Sequence, residues 1–218
     1  PFTSTGKYYR YDGLGKKWVS NPGLMTAGVG YIIQVPVPSK WIPYGTPTHS
    51  QQVTFIGTPN NGDYSFAVGD GEYNLIGNPY PSSIDAEKFM RNANNAGLID
   101  GALYFWTHNT AIFLKSGSTY GFTSNDYATL NLTGGTGTLG TPAGSPGLNT
   151  NAPNGLIAAG QSFFVKSLVT GTGGSFQFTN AMRDVSNNSQ FFKMANTKKA
   201  ATVEKNRVWL NLTNSDGL

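Results

Sequence analysis

Side chains able to act as acid, base or ligand are few in this sequence, and most are spaced for structure. Asp85 and Glu87 form an acidic pair close in sequence. A glycosidase needs two carboxyls about 5 to 10 Å apart across its substrate. At i and i+2 of a helix start the two diverge, so Asp85 reads as an N-cap and Glu87 as a charge matched to the helix dipole. His49 and His108 have no second histidine at ligand spacing, and the 218-residue chain contains no cysteine, so zinc and thiolate chemistry are not expected. Asp63, Asp70 and Glu72, beside Asn60-Asn61-Gly62, offer the hard oxygen ligands that calcium takes in the loops of β-sandwiches. An ordinary Asn-Gly turn accounts for the same residues and is preferred, which leaves Asp63 and Asp70 as a calcium candidate and no other metal or cofactor expected. Gly28-Val29-Gly30 precedes a strand and not a helix, so it is no phosphate cradle, and no serine sits in a nucleophile elbow. Catalysis is not expected.

Aromatic rings are the other candidate chemistry, at 13% of the chain. Trp18, Trp41, Tyr44, Trp106 and Tyr120 include rings in turn-rich or polar company, where a flat face can serve a sugar. Trp106 ends an apolar strand and reads as core. Trp41 and Tyr44, in a proline-rich loop, are the better exposed platform, and they support an alternative function as a carbohydrate-binding module.

The elements that must position these residues follow from composition. With 38% hydrophobic residues, 12% charged, 28 Gly and 12 Pro, the chain favours many short strands joined by turns over helices. The net charge of +4 is spread over single Lys and Arg residues apart from Lys16-Lys17 and the stretch from Arg183 to Arg207, so no nucleic-acid partner is expected. No apolar run approaches the roughly 18 residues of a membrane span. The chain starts at Pro1 and stops just after a strand-like run from Arg207 to Thr213, and it reads as an excised piece of a longer protein.

The organising stretch is Glu72 to Asp85. Tyr73, Leu75 and Ile76 make a strand, which Gly77-Asn78-Pro79-Tyr80-Pro81 forbids to continue because each proline removes a donor and restrains its predecessor. A helix is expected next, capped by Ser82, Ser83 or Asp85, running from Ala86 to Asn95 and stopped at Gly97. Asn78, Pro79, Tyr80, Pro81 and Asp85, with Gly155 and Gly160 further on, are expected to have structural roles. Residues 8 to 19 read as a hairpin, Tyr31 to Val35 as a strand, and residues 133 to 155 as a long surface loop. Gly23 to Ile33 aligns with Gly155 to Val165, each run preceded by an aromatic strand and followed by an aromatic-x-aromatic strand (Tyr64-x-Phe66, Phe176-x-Phe178). That order suggests an internal repeat. The expected fold is all-β, sandwich- or jelly-roll-like: a first β-unit at 1–84, a short helix at 85–97, a second β-unit at 98–192, a connector at 193–206 and the first strand of a following element at 207–218. Leu24, Ile32, Leu156 and Phe164 are expected to be buried.

Three stretches carry a resemblance: Tyr73 to Asp85, Gly101-Ala102-Leu103-Tyr104-Phe105-Trp106-Thr107-His108, and Pro153 to Val165, closed by Asn180-Ala181-Met182-Arg183. Across about residues 70 to 192 the chain resembles the large outer-surface proteins of gliding and other Bacteroidota that leave the cell by the type IX secretion system. The resemblance implies a module ahead of a C-terminal sorting domain, located at the extracellular cell surface, with a structural or adhesive role and no catalytic residue. Its implied partners are the type IX secretion machinery during export and surface polysaccharide or other cell-surface proteins afterwards.

Overall fold

The structure is a computed structural model, and it describes residues 8–21, 23–33, 57–69, 71–107, 109–110, 113–114, 120–121, 123–138, 151–171, 173–188 and 192. The fold is all-β and sandwich-like. In chain order the elements are β1 (Tyr8–Asp12), β2 (Lys17–Ser20), β3 (Tyr31–Ile33), β4 (Tyr64–Val68), β5 (Tyr73–Gly77), β6 (Ser83–Asp85), α1 (Ala86–Arg91), β7 (Ile99–Trp106), β8 (Phe113–Leu114), β9 (Tyr120–Gly121), β10 (Tyr127–Asn131), β11 (Gly134–Thr136), β12 (Leu156–Ile157), β13 (Ser162–Ser167), β14 (Gly174–Phe178) and β15 (Arg183–Asp184). Trp41, Tyr44, Asp70, His49, His108, the connector at 193–206 and the strand expected from Arg207 lie outside the described residues.

A five-stranded antiparallel sheet, ordered β11-β10-β7-β13-β5, forms the centre. Alternation gives it two faces. Ile76, Leu103, Phe105, Leu130, Phe163 and Val165 point to the main core, where Phe89 of α1, Phe176 and Phe178 of β14, Ile84 and Ile157 meet them. The Phe89 ring lies 5.0 Å from that of Phe178 and 5.6 Å from that of Phe163, so the helix is the lid of this core. The other face carries Tyr73, Leu75, Tyr104, Trp106, Tyr127, Ser162 and Phe164, which alternate in register with the core set. A three-stranded sheet, β2-β1-β3, lies against part of that second face through Tyr11 and Trp18, which both contact Phe164.

Strands far apart in sequence are tied together. β5 pairs with β13, β4 pairs with β14, and β6 pairs with both β12 and β15. β1 lies between β2 and β3, β7 lies between β10 and β13, and the two aromatic-x-aromatic strands pair with Phe66 opposite Phe176. Gly28 and Gly160, aligned with each other, both take the left-handed conformation, with φ of 83° and 68°.

Four expectations need correction. The helix ends at Arg91, not Asn95, because Asn95 turns its buried side chain back, donating to Phe89 O at 2.9 Å and Gln177 O at 2.8 Å and accepting from Gln177 N at 2.7 Å. Ser83 lies in the short strand β6 ahead of that helix, and Asp85 alone caps it. Leu24 is 94% exposed: among the described residues the run before β3 makes one bridge, Val29 to Ile76, away from Leu24, while Ile32 and Leu156 are half-buried. The stretch from 133 to 155 is not loop throughout: Gly134–Thr136 pairs with β10 as an edge strand.

Candidate functional site

The proline corner is densely hydrogen-bonded. Pro79 is buried and Pro81 exposed, and the missing proline donors leave carbonyls that must find partners elsewhere. Asn78 supplies them. Its Nδ2 donates to Ser82 O at 2.8 Å, Ala158 O at 3.0 Å and Ile157 O at 3.2 Å, while its Oδ1 accepts from Tyr80 N at 3.0 Å. Tyr80 is 2% exposed and its hydroxyl donates to Gly62 O at 2.7 Å. Asn60 Nδ2 donates to Pro79 O at 2.8 Å, and Arg183 spans the outside, donating to Ser82 Oγ at 3.0 Å and Asn61 Oδ1 at 3.2 Å with its guanidinium 5.4 Å from the Tyr80 ring centre. The Asn60-Asn61-Gly62 loop is therefore a clamp over the corner. Within it Gly62 takes φ of 89°, and the neighbouring Asp63 is exposed.

Three carboxylates, Asp85, Glu87 and Asp126, have structural partners. Asp85 Oδ1 accepts from Glu87 N at 2.8 Å and Lys88 N at 3.1 Å, and Glu87 pairs with Arg91 at 2.7 Å. Asp126 is buried and accepts from the backbone and hydroxyl of Thr110. Gly155 O accepts from Ala86 N at 2.8 Å, and Gly160 sits in the turn that Gln161 N closes on Ala158 O at 3.1 Å.

A cleft of about 330 Å³ opens beside the three-stranded sheet, on the second face of the central sheet. Trp18 and Ile32 stand on one side, Tyr104, Trp106 and Tyr127 on the other, with Phe164 between. Phe164 is ringed by Tyr11 at 5.1 Å, Tyr127 at 5.7 Å and Trp18 at 6.0 Å, each edge-on. Trp18 is nonetheless 42% exposed. Polar groups enter at one end. Gln161 is 5% exposed; its Oε1 accepts from Ala158 N at 3.1 Å, and its Nε2 has no partner among the described residues. Ser162 Oγ accepts from Tyr31 N at 3.2 Å and keeps its proton to donate. Burial pushes the Tyr127 phenol up to about 12, so it is a neutral donor at physiological pH.

The sequence places Tyr104 and Trp106 in a buried strand and Tyr127 in an alternating one, and gives neither Tyr104 nor Tyr127 a part in a site. The available signal was the parity of β7: Leu103 and Phe105 share one face, Tyr104 and Trp106 the other.

A family model described as a domain of unknown function (DUF8693) matches residues 1–218. The chain belongs to that family. No curated protein and no solved structure matches it. The corner and the cleft must therefore be read from their own chemistry.

Proposed function

We propose that the chain is a structural or adhesive module of a bacterial protein secreted to the cell surface, and that it performs no catalysis of its own. The observation that carries this reading is the proline corner, in which Asn78, Tyr80, Asn60 and Arg183 spend their hydrogen bonds on the protein's own backbone and side chains. A segment so committed is a fixed joint. Asp85, Glu87 and Asp126 are likewise engaged as cap, ion pair and loop anchor. The pairing of β4 with β14 and β5 with β13 supports a scaffold whose early and late segments hold each other. Export by the type IX route, and contact with surface polysaccharide or other surface proteins, rest on the resemblance of the motifs around Tyr73 to Asp85 and Pro153 to Val165 to surface proteins of Bacteroidota.

An epitope inserted beside Gly97, where there is open space, tests the reading in the parent gene. Intact cells should bind the antibody, and removal of the module should reduce adhesion or surface retention of the parent protein. Labelling only after lysis, or unchanged adhesion and retention, would contradict it.

A further inference from the structure

We propose that the aromatic cleft binds a neutral saccharide, with Trp18 as the platform for a sugar face and Gln161, Ser162 and Tyr127 as partners for its hydroxyls. This goes beyond the scaffold reading and does not depend on it, since a scaffold would stand without a ligand. No Asp, Glu, Lys or Arg lines the cleft among the described residues, so a charged ligand would be desolvated without a counter-charge. A wholly apolar ligand fits no better. It would seal Gln161 Nε2 and the Tyr127 hydroxyl, neither hydrogen-bonded among the described residues, away from water. A pyranose presents an apolar C–H face and a rim of hydroxyls, which answers both parts of the lining. The rings are also held in advance: Trp18 is braced by Tyr11 at 5.3 Å and by Phe164 at 6.0 Å, so little freedom is lost when a sugar settles on it. At about 330 Å³ the cleft is at the small end of ligand sites and suits the end of a glycan chain more than a long run of it.

A microarray bearing neutral and acidic glycans, followed by titration calorimetry with maltotriose, laminaritriose, cellotriose and mannotriose, tests this directly. The folded chain should bind at least one neutral glycan and change its tryptophan fluorescence on doing so. Trp18→Ala should weaken binding roughly tenfold or more, the scale of one lost aromatic contact. Tyr127→Phe keeps the ring and removes one hydrogen bond, so it should weaken binding by about threefold to tenfold with the fold intact. Failure of the folded chain to bind any neutral glycan, a preference for acidic ones, or equal affinity in wild type and Tyr127→Phe together with Trp18→Ala would each overturn the proposal.

Discussion

The Tyr80 hydroxyl reaches Gly62 O at 2.7 Å, so the ring buried under the corner is bonded to the loop that closes over it. Removing the ring and removing the hydroxyl should therefore be separable. Tyr80→Ala is expected to lose about 3 kcal/mol and Tyr80→Phe about 1 kcal/mol in urea denaturation. A Phe variant as stable as wild type would show that the bond to Gly62 does not hold the loop.

Asn78 presents its amide hydrogens to three carbonyl oxygens within 3.2 Å. An aspartate there has no hydrogen to donate when ionised and would face those oxygens as a buried charge. Asn78→Asp should cost about 3 kcal/mol or more at neutral pH. Its folded carboxyl would be raised above the unfolded value of about 4, so part of the loss should return as the pH falls from that raised value toward about 4, with no further change below it. Denaturation of the variant at two pH values checks the sign. A loss that grows on acidification would contradict the geometry described.

How legible all this was depended on the length of the signal. The corner could be read because Gly77-Asn78-Pro79-Tyr80-Pro81 permits few backbones, and the all-β class followed from the spacing of glycine and proline. Short strands escaped. Ser83–Asp85, Leu156–Ile157 and Arg183–Asp184 are only two or three residues long, too short for alternation to show, yet together they form the sheet beneath the corner. Gly134–Thr136 was hidden by a glycine-rich composition with no side-chain pattern. The cleft was missed for a different reason. Parity puts Leu103 and Phe105 on one face of β7 and Tyr104 and Trp106 on the other, but both faces are apolar or aromatic, so composition does not say which of them is the core.

Two glycines should respond very differently to the same change. A Cβ on Gly30 would come within 2.6 Å of Leu75 Cγ and 2.9 Å of Ile76 O, beside the bridge from Val29 to Ile76 of β5. Gly30→Ala should cost about 1–3 kcal/mol because backbone must move. Gly97 has open space, so Gly97→Ala should stay within about 0.5 kcal/mol of wild type. Thermal melts of the two variants give the comparison, and similar melting temperatures would argue against the close approach.

Alkaline pH should weaken the fold through two partly or fully buried phenols. Burial is the largest cause lifting Tyr80 and Tyr127 from 10.0 to about 12, with Asp63 adding to it at Tyr80 and Tyr11 at Tyr127. The unfolded chain ionises these groups near 10 and the folded chain only near 12, so their contribution is intact below pH 10 and is lost across that window. Stability measured through the window should fall less steeply in Tyr127→Phe than in wild type. Identical slopes would mean that Tyr127 ionises as freely in the folded protein as in the unfolded one.

Native-state hydrogen exchange tests the scaffold most directly, because β4 and β5 from the first half of the chain are paired with β14 and β13 from the second. Amides in the ladders of β4, β5, β7, β13 and β14 should exchange through one opening, at the free energy of global unfolding, and Tyr80→Ala should lower all of them together. Exchange of β4 and β5 through a separate opening of lower free energy, with β7 and β13 still protected, would contradict a single cross-tied scaffold.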